Sequence, residues 1–173
     1  MKNLLKIMVL IPILGIPGFL PAQEVNRTVY DEERQEVLLV GKMDYQGLTG
    51  DIFGPFYESE YGSYTPDPET IASLITSGIS DHGFLVVLGT WCSDSQREVP
   101  RMIKVLNDCG IDTEQIGLIA VDHDKMAAGT KVDYYNIEKV PTLIMFARDE
   151  EVGRIIETPD ETIESDLLNI ILN

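Results

Sequence analysis

The chain has 173 residues, of which 29 are acidic and 13 basic, so its formal net charge is −16. A surface of this sign repels nucleic acid phosphates and anionic membranes, and it favours solubility. Two cysteines, Cys92 and Cys109, are too few for a disulfide-stapled scaffold, and a chain of this length buries a core without staples. Length and composition therefore predict one domain and no nucleic-acid partner.

The first 22 residues have the features of a secretory signal peptide. Lys2 and Lys6 precede an apolar stretch at residues 7–20, and Ala22 supplies a small residue after it. A retained membrane anchor is the weaker alternative, because a spanning helix needs about 20 apolar residues and prolines and glycines interrupt this stretch. Cleavage after Ala22 would remove both lysines and no acid, lowering the net charge from −16 to −18. We expect an exported, periplasmic protein with no stable membrane span in its mature form.

Residues 23–66 are predicted to form an N-terminal extension that packs on the remaining domain. Residues 37–40 have the apolar content of a strand, whereas residues 45–64 are rich in glycine and aromatic residues and have a loop-like composition. Because loops rarely leave so much aromatic surface in water, we expect these rings to cover the core. A binding platform is the alternative.

Residues 67–173 have the element order of an α/β domain. Short apolar runs predict strands at residues 84–88, 115–121, 142–146 and 151–157. Helical spacing and end signals predict helices at residues 68–77, 95–108, 125–135 and 161–172. The first of these helices has Asp67 as its candidate N-cap and Pro68 at its first position. We expect a central sheet covered by helices.

Cys92 lies where the strand at residues 84–88 gives way to the helix at residues 95–108. Unpaired backbone N–H groups and the dipole at a helix start favour an anion, in this case a thiolate. The hydroxyl of Ser95 follows one turn later, whereas Asp94 opposes a second negative charge nearby. Cys92 is therefore the candidate nucleophile, and Ser95 is the candidate group that stabilises its thiolate.

Two motifs resemble those of the thioredoxin family. Residues 86–95 read VVLGTWCSDS, similar to the family's Trp-Cys-x-x-Cys site, and residues 140–146 read VPTLIMF, similar to its Ile/Val-Pro-Thr motif. The chain is most similar to exported bacterial thioredoxin-like proteins with Thr-Trp-Cys-x-Asp-Ser, in which the Arg-Glu-Val-Pro of residues 97–100 also recurs. The resemblance covers about residues 68–173 and implies a thioredoxin fold, with a mixed sheet of four or five strands flanked by helices.

The resemblance also implies a substrate-binding edge beside the thiol. Family members hold the proline of this motif in cis, which would present the backbone of Val140 next to Cys92. An extended substrate segment would pair with this edge. The implied substrate-binding residues are Trp91, Val140, Pro141 and Thr142. A trans proline that merely opens a strand is the alternative.

The chain lacks the residues on which the dithiol mechanism of the family depends. Ser95 occupies the position of the second cysteine, and a hydroxyl cannot resolve a mixed disulfide. The buried acidic residue and the lysine of thioredoxins align with Val86 and near Leu118. Cys109 is about 25 Å from Cys92 along a helix, whereas disulfide partners need Cα atoms within about 7 Å. We predict that Cys109 is a buried thiol.

The predicted function is thiol–disulfide exchange through Cys92, with a mixed disulfide that an external thiol resolves. Its partners would be protein or small-molecule thiols and disulfides, and the outcome would be isomerisation or reduction. The alternative is a non-catalytic binding module of the same fold. No cofactor is predicted and no metal, because the single histidine of the Asp-His-Asp sequence at residues 122–124 lies in an exposed turn and such groups are usually solvated.

Overall fold

The computed structural model of the chain describes residues 24–173. The predicted signal peptide, residues 1–22, lies outside this range. Within the described range, no helix combines the length and the apolar character needed to cross a bilayer.

The strands form a hairpin and a five-stranded mixed sheet. The hairpin consists of β1 (Thr28–Asp31) and β2 (Glu36–Leu39). The sheet consists of β3 (Gly41–Met43), β4 (Gly83–Leu88), β5 (Ile116–Ala120), β6 (Thr142–Ala147) and β7 (Glu150–Ile156). Its order is β3-β5-β4-β6-β7, in which β4 and β5 are parallel and the other pairs antiparallel. The strands predicted after residue 66 are therefore confirmed, and the fold is α/β.

Five α-helices accompany the sheet in the described part of the chain. They are α1 (Tyr45–Thr49), α2 (Gly54–Ser63), α3 (Pro68–Thr76), α4 (Ser93–Asp108) and α5 (Ile163–Leu172). The side chain of Asp67 caps α3 by accepting a hydrogen bond from the backbone N–H of Thr70, as the sequence predicted. Thr162 caps α5 in the same manner.

Residues 45–64 are largely helical, so the loop-like assignment of this segment is wrong. The sequence of α2 has glycines and aromatic residues, which are poor helix formers, and it lacks a regular apolar stripe. Tertiary contacts stabilise the helix instead, because Phe53 and Tyr57 are buried and the carboxylate of Glu60 binds Arg101 of α4 at 2.6 Å. The expectation that the rings cover the core is confirmed for Phe53 and Tyr57.

Residues 125–135 do not form the predicted α-helix, and only a 3-10 turn is present at Val132–Tyr135. The start of this segment is held by Asp122, whose carboxylate accepts hydrogen bonds from the backbone N–H groups of Asp124 and Met126. This local turn competes with helix formation. Ala127 and Val132 nevertheless pack against the sheet, which accounts for their apolar spacing.

The two faces of the sheet are covered differently. Alternate residues of β4 point to opposite faces, so Val86 joins a core that contains α2 to α5, whereas Val87 joins a second cluster. This second cluster contains Leu38 of the β1–β2 hairpin and Val140. The hairpin and the segment before β6 thus cover the face that lacks α-helices, and both reach the end of the sheet where Cys92 lies.

Candidate functional site

The junction between β4 and α4 holds Cys92 at the N-cap position of α4. The Cys92 backbone N–H donates to the carbonyl of Gly89 at 3.0 Å, and its carbonyl accepts from Gln96 in the first turn of the helix. Gly89 is required in this tight turn, because a Cβ atom there would lie only 2.7 Å from the ring of Trp91. The local backbone therefore presents the thiol at the start of a 16-residue helix.

The thiol of Cys92 contacts the backbone of the loop before β6. Its Sγ donates a hydrogen bond to the carbonyl oxygen of Val140 at 3.3 Å, and the Val140–Pro141 peptide bond is cis, as the resemblance implied. Within residues 24–173 the backbone N–H of Val140 has no hydrogen-bond acceptor. Val140 itself is buried, with 4% of its surface exposed, and Cys92 beside it is half-buried.

The rest of the proline motif is tied to the sheet. The carbonyl of Pro141 accepts a hydrogen bond from the N–H of Glu157, and the hydroxyl of Thr142 donates to the carbonyl of Lys139 at 2.8 Å. Thr142 is buried and pairs with both neighbouring strands. Of the three residues of this motif predicted to bind substrate, Val140 is the one whose backbone contacts the thiol.

Ser95 is fully buried, and its hydroxyl oxygen accepts a hydrogen bond from the N–H of Gly89 at 3.1 Å. No hydrogen bond joins Ser95 to Cys92 in the part of the chain that the structure describes. The observed contact instead fixes the turn between β4 and α4. Ser95 therefore lies next to the thiol in sequence and supports the backbone that carries it.

The charged residues of the first α4 turns pair with one another. Arg97 donates to the carboxylate of Asp94 at 2.8 Å and to that of Glu98 at 2.6 Å. The contact with Asp94 offsets part of the negative charge that this residue brings near the thiol. The same guanidinium group also neutralises Glu98, so the two carboxylates share one positive charge.

The indole of Trp91 is fixed by contacts on its edge and on its face. Its Nε1–H donates to the carbonyl of Val121 at 3.0 Å, and its ring stacks on His123 with centroids 4.0 Å apart. His123 in turn contacts the carboxylate of Glu36 in β2 at 2.6 Å. No local sequence pattern indicates this chain of contacts, because Glu36 lies 87 residues from His123.

Cys109 ends α4 at the far end from Cys92, and 6% of it is exposed. Burial raises the pKa of the Cys109 thiol to about 11, so it stays protonated near neutral pH. This confirms the prediction of a buried thiol. Val86 and Leu118 are register partners on the parallel strands β4 and β5, and both are buried. The two residues thus form an apolar pair inside the sheet.

Two cavities lie away from Cys92. One, of about 970 Å³, is lined by residues at the beginning of β4 and β5, including Gly83 and Gln115. The other, of about 680 Å³, lies between α1, α2 and the end of α4, with Tyr57 and Tyr61 in its wall. None of the predicted site residues lines either cavity. The thiol of Cys92 therefore lies outside both cavities.

Comparison with protein-family models and with curated proteins gives no match. Among solved structures, the chain is similar to a protein of unknown function from Pseudomonas aeruginosa, with a TM-score of 0.45 and 16% identity over 70% of this chain and 82% of that one. It is also similar to an HIV epitope-scaffold, with a TM-score of 0.47, 16% identity and the same coverage. Similarity at this level gives no information on activity.

Proposed function

We propose that this chain is an exported thioredoxin-like protein that exchanges thiols and disulfides through Cys92 alone. The observation that carries the proposal is the 3.3 Å contact between Cys92 Sγ and the carbonyl of Val140 at a cis proline bond. A reactive sulfur next to a backbone N–H that has no acceptor among the described residues would allow the site to hold an extended substrate and attack its sulfur.

The order of elements supports a thioredoxin fold. The parallel strands β4 and β5 are connected through α4, and the antiparallel strands β6 and β7 and helix α5 follow. Cys92 occupies the junction of β4 and α4, and the cis proline immediately precedes β6. This arrangement matches the positions of the two motifs on which the resemblance depends.

In the proposed reaction, Cys92 loses its proton to solvent, and the thiolate attacks one sulfur of a substrate disulfide. A bond forms between Cys92 Sγ and that sulfur, the original S–S bond breaks, and the second substrate sulfur leaves as a thiolate that takes up a proton. Another thiol, either external or on the substrate, then attacks the mixed disulfide and releases Cys92. An external thiol that attacks the substrate sulfur releases Cys92 and leaves a substrate–donor mixed disulfide; a second thiol of the donor then attacks the donor sulfur, so the substrate leaves as a thiol and the donor as a disulfide. Attack by a second thiol of the substrate itself gives isomerisation instead.

Loss of the thiol proton also prepares the binding edge. The carbonyl of Val140 is occupied by the Cys92 thiol in the resting protein, and deprotonation frees it to accept a hydrogen bond from substrate backbone. The N–H of Val140 is already free to donate within the described residues. One residue thus offers a donor and an acceptor to an extended segment, as a strand edge does. We infer that protein segments are the preferred partners.

Release must come from a second molecule or from the substrate. Ser95 provides no sulfur, and Cys109 lies at the other end of α4 with its thiol protonated and buried. Val86 and Leu118 cannot relay a proton to the leaving group. In the proposed mechanism, the protein forms the mixed disulfide by itself but needs a thiol from a partner or from the substrate to release Cys92.

The proposal is tested by trapping covalent partners. The full-length chain and its Cys92→Ala and Cys109→Ala variants are expressed in a bacterium that exports them, and the exported fraction is analysed on a non-reducing gel. The wild type and the Cys109→Ala variant should form adducts that dithiothreitol dissolves, and Cys92→Ala should form none. Adducts that persist in Cys92→Ala would refute the proposed role of this cysteine.

A non-catalytic binding module is the competing function. Such a module would retain its partner after the Cys92→Ala substitution, and the wild type would give no covalent adduct. Recovery of the same partner by both proteins under reducing and non-reducing conditions would therefore favour binding over exchange.

A further inference from the structure

Three potential metal ligands lie close together beside Trp91, the residue that precedes Cys92. Asp31 and Glu36 are directly opposite each other on the hairpin strands β1 and β2, and His123 follows β5. One ligand atom from each of these residues lies within 4.8 Å of the others. Because the hairpin and His123 are far apart in sequence, the fold alone assembles the group.

The hairpin places two carboxylates in an unfavourable arrangement. Like charges directly opposite on antiparallel strands repel each other, and the whole chain already carries a net charge of −16. The compensation at Asp31 is incomplete, because the guanidinium of Arg34 lies 3.4 Å from Oδ2 and is itself 44% exposed. Glu36 uses one oxygen for His123. This arrangement favours the binding of a compact divalent cation.

We propose that Asp31, Glu36 and His123 form a binding site for a divalent transition-metal ion, with Zn²⁺ as the best-suited ion. The imidazole favours a transition metal over calcium or magnesium, which prefer oxygen ligands alone. The two carboxylates carry two negative charges, and the guanidinium of Arg34 offsets part of them, so a divalent ion is attracted to the site. Ligand atoms around tetrahedral zinc are separated by about 3.3 Å, so the three side chains, now within 4.8 Å of one another, would move closer on binding.

The individual groups are suited to ligation. The backbone N–H of Arg34 binds Asp31 Oδ1 at 2.9 Å and leaves Oδ2 with only the long contact to the guanidinium. His123 Nε2 lies 2.6 Å from Glu36 Oε1 and donates its proton to that oxygen. A metal ion would displace this proton, because a ligating imidazole nitrogen must be deprotonated.

A bound ion would connect the hairpin to the wall of the candidate site. His123 stacks on Trp91, and Asp31 and Glu36 belong to the hairpin that covers this face of the sheet. Metal binding would therefore hold the hairpin against the loop after β5 and fix the indole beside Cys92. The ion-binding property does not depend on the proposed thiol exchange.

Calorimetry and fluorescence test the proposal on the protein from residue 23 onwards. Zn²⁺ titrated by isothermal calorimetry should bind with a stoichiometry of one, and Trp91, the single tryptophan, should change its emission because its stacking partner becomes a ligand. His123→Ala and Glu36→Gln should each weaken binding by more than about tenfold, since loss of a residue that merely supports a ligand already weakens binding about 10–100-fold. Arg34→Ala should strengthen binding, because it removes a competing cation.

Three matched variants distinguish this site from zinc binding at neighbouring donors or at the other histidine. His82→Ala removes the other histidine, Asp124→Asn removes an acid beside His123, and Cys92→Ser removes the thiol next to Trp91. All three should bind Zn²⁺ as the wild type does. Unchanged affinity in His123→Ala, loss of binding in any of these three variants, or no binding by the wild type would each overturn the proposal.

Discussion

The hydroxyl of Ser95 accepts a hydrogen bond from the N–H of Gly89 and forms no hydrogen bond with Cys92 among the described residues. A buried N–H that loses its acceptor destabilises a protein by about 1–3 kcal/mol, so this serine has a structural reason to be polar. In the proposed mechanism, the residue that lacks the sulfur needed to release a mixed disulfide is also the one that fixes the backbone carrying Cys92. A substitution of Ser95 should therefore affect both the stability of the turn and the proposed chemistry of Cys92.

Replacing Ser95 by cysteine should allow the protein to release, without an external thiol, the partner that is bound to Cys92 in the proposed mixed disulfide. The new sulfur lies one helical turn from Cys92 and can attack the mixed disulfide. We expect Ser95→Cys to lose the covalent adducts that the wild type accumulates, and to form an intramolecular disulfide on oxidation. Non-reducing gels and mass determination of the intact protein measure both effects. Ser93→Cys, at an exposed position of the same turn, is the control. Equal adduct levels in Ser95→Cys and the wild type would contradict the prediction.

The two cysteines should differ sharply in reactivity. Cys109 is buried and its pKa is raised to about 11, so it is protonated and shielded near neutral pH, whereas Cys92 is half-exposed. Only a thiolate reacts rapidly with iodoacetamide. Peptide mapping should find the iodoacetamide label on Cys92 alone at about pH 8. Labelling of Cys109 should increase as the pH approaches about 11. In denaturant both residues should react, and similar rates in the native protein would show that Cys109 is accessible.

Helix α2 forms although its sequence has a low helix propensity. Its glycines and aromatic residues disfavour a helix, yet it packs along α4. Arg101 of α4 binds Glu60 and lies over the ring of Tyr64, 5.5 Å from its centroid. Phe53, at the start of α2, is fully buried. Packing and ion pairing therefore decide the conformation of this segment.

Two neighbouring phenylalanines provide a matched test of the role of packing in α2. Phe53→Ala should lower the free energy of unfolding by about 3–5 kcal/mol, because it leaves a cavity in the core. Phe56→Ala should lower it by no more than about 1 kcal/mol, since 39% of Phe56 is exposed. Urea unfolding followed by circular dichroism measures both. Similar losses in the two variants would mean that packing of Phe53 does not hold α2.

The core of the whole molecule is shared between its N-terminal and C-terminal parts. Strand β3 pairs with β5 at one edge of the central sheet, and Leu48, Phe53 and Tyr57 enter the same core as Val86 and Leu106. Residues 23–66, predicted as an extension that packs on the domain, therefore contribute a strand and a layer of side chains to it.

A chain that begins at residue 67 should be far less stable than one that begins at residue 23. It would expose the edge of β5 and the apolar surface that α1 and α2 cover. We expect a broadened thermal transition at lower temperature, measured by circular dichroism, and a tendency to aggregate, measured by light scattering. Equal midpoints for the two proteins would show that residues 23–66 are dispensable for folding.

The sequence by itself determined the strands and most of the helices after residue 66, because apolar runs and helix caps are local signals that tertiary contacts here reinforce. It also placed Cys92 at a strand–helix junction and Cys109 in the core. Only the tertiary structure decided that residues 45–64 are largely helical, since packing on α4 overrides their weak propensity. It likewise decided that Ser95 binds Gly89 and that Asp31, Glu36 and His123 converge beside Trp91. Contacts between residues so distant in sequence leave no periodic pattern, because they arise only when the chain is folded.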